Sequence, residues 1–341
     1  MVEGVAPGIF LGAFFFSLYE DTILTRWRWT LALVLFAGIG VPLGMPFVDI
    51  LRHPEGWQSW QELDRLAALA GNTLGLMLGT VALALPIGTV IAVLLYRTDL
   101  PGRGFFRFLT ILTLFVPLPV LVTAWQSMFG AGGWLPINQW LQPPPGDPDV
   151  ASLGTAWKPW IQGMPAAIFI HTVAGLPWVV LIVGLGLRWV ERDLEEDALT
   201  AAGAWRVLWH VTLPRCRTAI WAAGLWVALQ TATEISATDM MQVRTLAEEV
   251  YTQLVGGGTS AIAGSVAVAV PAIALIAVLV AFAARRLGQQ LPPLENLSKA
   301  PFEFHLRISR WPCFLGVVAA VTLLTCLMLA HIRRLRQAKP S

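Results

Sequence analysis

Hydrophobic and polar positions along this chain fall into blocks far longer than the stripes of a soluble helix. Apolar residues run almost unbroken over positions 29–48, 69–95, 106–128, 164–187, 218–235, 262–284 and 313–329. A helix that crosses the hydrocarbon of a bilayer needs roughly 20 such residues, and helices are the one single-segment structure that satisfies its own backbone hydrogen bonds there. The pattern predicts an all-α, polytopic membrane helix bundle. An earlier run, 5–19, is shorter and lacks the basic start of a signal peptide. It is read as an interfacial or packed helix.

Composition sharpens this picture. Charged residues make up 13% of the 341 and hydrophobic ones 56%, against about 25% charged in a soluble domain, so the solvent for most of the chain is not water. Several of the 16 tryptophans fall at the ends of apolar runs, where interfacial belts lie. A net charge of +2 is too small to point to nucleic acid. Cys216, Cys313 and Cys326 have neither metal-ligand spacing nor evident partners.

Basic residues set the expected orientation, because cytoplasmic loops retain them. Arg97, Arg103 and Arg107 follow the second run; Arg188, Arg192, Arg206, Arg215 and Arg217 surround 195–214; Arg285, Arg286, Lys299, Arg307 and Arg310 follow the sixth. The intervening loops hold Arg52 and Arg65, then Lys158, then Arg244. Alternation places 195–214 in the cytoplasm. The tail after the seventh run, with Arg333, Arg334, Arg336 and Lys339, breaks the parity.

The segment 195–214, EEDALTAAGAWRVLWHVTLP, is a polar island between two apolar runs. Leu194, Ala198, Ala201, Trp205, Leu208 and Thr212 recur at three- and four-residue steps and mark one largely apolar helical stripe. Glu191, Asp193, Glu195, Glu196 and Asp197 crowd its start and Arg206, Arg215 and Arg217 its end, an order that suits the helix dipole. Gly203 offers a bend between two short helices, and Pro214 ends the second. Two readings are open on these residues: a solvated helix resting on the membrane, or a docking element for a cytoplasmic partner.

The segment resembles the EAA loop of permease subunits of binding-protein-dependent ABC importers, Glu-Ala-Ala, three residues, Gly, nine residues, Ile-x-Leu-Pro. Here Glu195, Glu196, Asp197 and Ala198 stand at the head and Val211, Thr212, Leu213 and Pro214 at the tail. The family glycine would fall at Ala201 or Ala202, whereas this chain has Gly203. NTLGLMLGTVALALPIGTVIAVLLYR, 72–97, resembles the family's first core span, and the likeness extends over 69–286. TLAEEVYTQ, 245–253, has the look of the ferric-iron, thiamine and phosphonate permease group.

The resemblance implies a six-span type I importer core plus a seventh C-terminal span. The expected organisation is an N-terminal cytoplasmic or interfacial segment 1–28, a first span and outer loop 29–65, a core 66–288 with a coupling loop 189–217, and a linker, span and basic tail 289–341. It implies that Glu195, Glu196, Asp197, Ala198, Ala202, Gly203, Val211, Leu213 and Pro214 couple the chain to a dimer of ABC ATPase subunits. No GxxxxGK[ST] occurs, so ATP and Mg²⁺ belong to that partner, and the chain is a transporter subunit rather than an enzyme, with no cofactor of its own. A second permease half, an extracytoplasmic solute-binding protein and membrane lipid complete the expected partners, in the inner membrane of a bacterium. RISRWPCFLG, 307–316, is faintly like RWRWTLALVL, 26–35, which suggests that residues after about 289 are the start of a second half that is missing, shortened or encoded elsewhere.

Polar groups within a span default to function. In ALQTATEISATDMM, 228–241, Gln230, Glu234 and Thr238 fall on one helical face and are the candidate pathway or gate residues; Asp239 is read as solvated. The alternative to ATP-driven import is an ion-coupled secondary transporter or channel using Glu234. His171 has no second ligand at metal spacing and reads as a packed, hydrogen-bonded histidine. Pro86, Pro117, Pro119, Pro177 and Pro271 interrupt spans, and the proline- and tryptophan-rich loop 130–160 is expected either to shape the surface where the binding protein docks or to serve as an interfacial tie.

Overall fold

A computed structural model describes residues 27, 29–129, 162–256, 258–287, 302–306, 309–319 and 322. Among them the fold is all-helical, the sole extended pairing being one isolated parallel bridge between Thr98 and Phe304. The loop 130–160, the run 5–19 and the basic tail lie outside the described residues.

The chain divides into two units, residues 1–61 with 252–267, and 62–251 with 268–341. In the first, α1 (Trp29–Arg52) is apolar up to Asp49 and Arg52 in its last turn, and no residue of its apolar window is buried, a surface suited to lipid rather than water. A 3₁₀ segment, Pro54–Gln61, follows. There Trp60 Nε1 donates to the Ala267 carbonyl at 2.9 Å. Gly56 lies so close to Ala263 that a Cβ would sit 2.7 Å from its backbone, so only glycine fits.

The second unit is built on three helices, α2 (Leu63–Arg97), α5 (Met164–Arg188) and α8 (Arg217–Ala232), which pack on one another. Small residues at the crossings permit close approach: a Cβ on Gly88 would stand 2.6 Å from Val179, and one on Gly186 would overlap Ala219. With 35 residues α2 is about 52 Å long, longer than the roughly 30 Å hydrocarbon layer, so it projects beyond it.

Between α2 and α5 the expected third span is broken. Here α3 (Arg103–Thr113) and α4 (Leu118–Phe129) meet at 101°, with Pro117 and Pro119 at the corner, where Pro117 lacks the N–H to continue α3. Pro86, Pro177 and Pro271 instead lie inside continuous helices, so the expectation that each interrupts a span holds only at this corner.

Among the described residues, four helices are long and apolar enough to cross a bilayer, or five if the bent pair is one span. The fifth expected span is the 16-residue α8, too short to count by length. It is followed by α9 (Ser236–Met240), α10 (Leu246–Gly256) and α11 (Ala261–Leu287). Residues 310–319, at the start of the seventh expected span, are helical, while most of that run is outside the described residues.

Candidate functional site

The polar island folds as two short helices. The first, α6 (Arg192–Ala201), carries Asp193 and Glu195 in its first turn, where carboxylates meet the exposed N–H groups. At Ala202 and Gly203 the backbone is extended, with φ −142° and −68°. Gly203 is thus in a conformation open to any residue, and a Cβ there would meet nothing within 4 Å. The displaced glycine is therefore compatible with the bend, which Ala202 shares.

The second helix, α7 (Ala204–Val207), runs on through a π-turn (Leu208–Thr212) and a last turn (Leu213–Arg215). Pro214 does not end it, as the sequence suggested: the N–H of Cys216 reaches the Thr212 and Leu213 carbonyls at 3.1 Å, and α8 follows directly. Immediately ahead of Pro214, which has no N–H to donate, the Leu213 N–H reaches back five residues to the Leu208 carbonyl.

Burial sorts the nine expected coupling residues. Ala198, Ala202, Val211 and Leu213 are half-buried against the core. Glu196, Asp197, Gly203 and Pro214 are exposed, with Arg192 donating to Glu196 at 2.6 Å. Glu195 alone is fully buried. The single stripe expected along the segment splits at the bend: Leu208 and Thr212 are buried, whereas Ala201 and Trp205 face outward. Trp205 (69% exposed) and Trp209 (52%) form an edge-to-face pair at 5.7 Å, an uncovered aromatic patch on α7 and its π-turn.

What holds this element is a buried polar cluster. Arg97, the last residue of α2, is fully buried; its Nη2 pairs with Glu195 Oε2, and its Nη1 donates to the Leu187 carbonyl near the end of α5 at 3.1 Å. Thr212 Oγ1 donates to the other Glu195 oxygen at 2.6 Å. One carboxylate thus joins α2, α6 and the π-turn, with α5 held through the arginine. Burial pushes the Glu195 carboxyl upward from its ordinary range, against the opposing pull of the Arg97 guanidinium and the Thr212 hydroxyl. Sequence reasoning counted Arg97 as one more positive charge. The signal available was its place as the last residue of an apolar run, which does not reveal a partner 98 positions away.

The candidate pathway residues do not share one helical face, because α8 ends at Ala232. Gln230 is exposed on α8 and lines a small cavity with Thr113, Val116, Pro177 and Trp178. Glu234 sits in the break between α8 and α9. Its carboxylate accepts the N–H groups of Ser236 at 3.0 Å and Ala237 at 2.7 Å, capping α9. Thr238 is fully buried and turns its hydroxyl back to the Ile235 carbonyl at 2.9 Å. Asp239 is exposed.

His171 is buried on α5, its Nδ1 2.8 Å from the Ala167 carbonyl. Its Nε2 stands 3.9 Å from Glu234 Oε2, a proximity that residue spacing did not reveal. Among the described residues no group of three or more His, Cys, Asp or Glu is arranged to hold a metal ion.

No family model matches the chain. Over 229 residues it is 27% identical to the Fe(3+)-transport system permease protein FbpB 2 of Haemophilus influenzae, covering 65% of this chain and 39% of that protein. Over 203 residues it is 30% identical to the sulfate transport system permease protein CysT of Synechococcus elongatus, covering 57% of this chain and 66% of that one. The chain thus spans about two-fifths of the first relative's length. The crystal structure of a bacterial ABC transporter involved in the import of the acidic polysaccharide alginate aligns with a TM-score of 0.59 over 81% of this chain and 99% of that one. Identity there is 13%, so that likeness is one of fold.

Proposed function

We propose, from the premise that this multi-pass membrane protein is a permease of the ABC importer family, that residues 192–215 form the loop through which a separate ATPase drives it. The observation that carries this reading is the buried Arg97–Glu195–Thr212 cluster beneath the exposed Trp205–Trp209 pair. A force transmitter needs a rigid root and a surface that a partner grips. The buried ion pair supports the first, and two uncovered tryptophans, a residue type favoured at binding hot spots, support the second.

In this reading the loop faces the cytoplasm, as the arginine distribution suggests. The ATPase dimer holds ATP and Mg²⁺, a second permease half completes the path, and an extracytoplasmic binding protein delivers the solute at the bacterial inner membrane. Gln230, in the cavity beside the α3–α4 corner, and Glu234, at the α8–α9 break, belong to the pathway or its gate, with Thr238 behind them. The named relatives act on ferric iron and on sulfate, so the solute proposed is a small inorganic ion, ferric iron among the candidates.

Cysteine placed at Ala204 and crosslinked in native membranes tests the reading. Recovery of a nucleotide hydrolase on the crosslink supports it; repeated recovery of the chain without one overturns it. The ion-coupled alternative draws on the closeness of His171 to Glu234. It requires uptake into proteoliposomes under an ion gradient without ATP, unaffected by loss of Glu195.

A further inference from the structure

The root of this loop is not made by the 66–288 core alone. Residues 302–306 run alongside the end of α2 and attach at successive points. Phe304 N–H donates to the Arg97 carbonyl at 2.7 Å, giving the parallel bridge with Thr98. Leu306 N–H donates to Asp99 Oδ1 at 2.9 Å, and Glu303 pairs with Arg103 at 2.7 Å. Beyond them Phe314 stands edge-to-face against Phe106 at 5.8 Å, and Val317 is buried in the same core cluster.

Phe304 also meets the arginine that holds Glu195. The centre of the Arg97 guanidinium lies 5.8 Å from the Phe304 ring centroid, within cation–π range. Phe304 is itself buried. The guanidinium is therefore held on three sides: Glu195 takes Nη2, the Leu187 carbonyl takes Nη1, and Phe304 covers it. Its Nε is buried without a hydrogen-bond partner, so aromatic contact is part of what makes this burial tolerable. A buried arginine has long, flexible torsions to fix, and the orientation that suits Glu195 is one among several.

We propose that residues 302–306 brace the coupling loop, with Phe304 as the positioning residue that fixes the Arg97 guanidinium in its pairing with Glu195. This rests on reading 192–215 as that loop, and extends it: an extended segment outside the 69–286 stretch of family likeness sets the stiffness of the root. Force entering α6 passes through Glu195 and Arg97 into α2, and is resisted at Arg97 by Phe304.

Hydrogen–deuterium exchange of the full chain, purified with its bound subunits, tests the brace. In Phe304→Ala the amides of 192–201 lose about tenfold in protection, as expected for loss of one desolvated cation–π contact. In Phe304→Tyr they keep it, and amides 70–92 in α2 are unchanged in both. Arg103→Glu weakens protection of 192–201, and adding Glu303→Arg restores it, an arm that holds even where Phe304→Ala fails to fold. Unchanged exchange of 192–201 in Phe304→Ala, equal loss in the Ala and Tyr variants, or no rescue by the charge exchange overturns the proposal. If the variants show the expected exchange pattern but no ATPase ever co-purifies, the coupling reading fails while the brace stands.

Discussion

Two carboxylates, Glu195 and Glu234, both lie beside the start of a short helix, yet their surroundings give them opposite characters. Glu195 is fully buried, paired with a fully buried guanidinium and bonded to a threonine hydroxyl. The Glu234 side chain is 19% exposed, accepts two backbone N–H groups of its own short helix, and stands 3.9 Å from His171. The first couples elements distant in sequence, so displacing it strands a charge. The second holds mainly local structure, so it can be released at the cost of one helix cap. Under the proposed coupling, the first would be the joint that carries load and the second the joint that yields.

The sharpest way to break this contrast is Glu195→Ala. It leaves Arg97 buried without its counter-charge, and a destabilisation of about 3–5 kcal/mol is expected, read as a fall in the denaturation midpoint in detergent. Replacing both partners, Arg97→Met with Glu195→Leu, is expected to recover most of that stability while subunit capture stays impaired. Recovery of both would reduce the pair to packing.

Next in size is the aromatic patch. Trp205→Ala and Trp209→Ala are expected to change stability by less than about 0.5 kcal/mol, as exposed substitutions do. Each is expected to weaken ATPase capture by roughly 2 kcal/mol, measured by titrating the purified ATPase subunit onto immobilised permease.

At the yielding joint, Glu234→Ala removes the acceptor for Ser236 and Ala237, with an expected cost of about 1 kcal/mol. Faster amide exchange confined to 236–240 checks this. Effects reaching 192–201 would erase the distinction between the joints.

The smallest effect expected is that of acid on the brace. Asp99 is held below the usual carboxylate range chiefly by the Leu306 N–H, and Glu303 chiefly by Arg103. Lowered folded values mean that their stabilisation is complete above the ordinary carboxylate range and is lost as pH falls through the folded values. Protection of the amides at 302–306, taken as exchange relative to the intrinsic rate at each pH, is therefore expected to be flat from neutrality to about pH 5 and to fall below about pH 4.

The positions of the polar island and its acidic start were legible because both are local: five acids crowding the start of a helical stripe, between apolar runs. Which acid mattered structurally was not. Glu195, Glu196 and Asp197 are adjacent and chemically alike, and only the approach of Arg97 from α2 singles out the first. Gly203 and Pro214 look like punctuation, but one sits in an ordinary extended conformation and the other inside a continuing helix. The common face assigned to Gln230, Glu234 and Thr238 assumed an unbroken helix, whereas Glu234 caps a new one.

By itself the sequence determined that this is an all-α membrane protein with a polar, charge-ordered insert, because hydropathy and dipole order add up residue by residue along the chain. The tertiary structure alone decided the 101° corner between α3 and α4, the nearness of His171 to Glu234, the buried ion pair, and the segment 302–306 laid against the end of α2. Each of these joins groups that are neighbours in space only, and the free energy of a buried charge depends on what surrounds it, not on what precedes it.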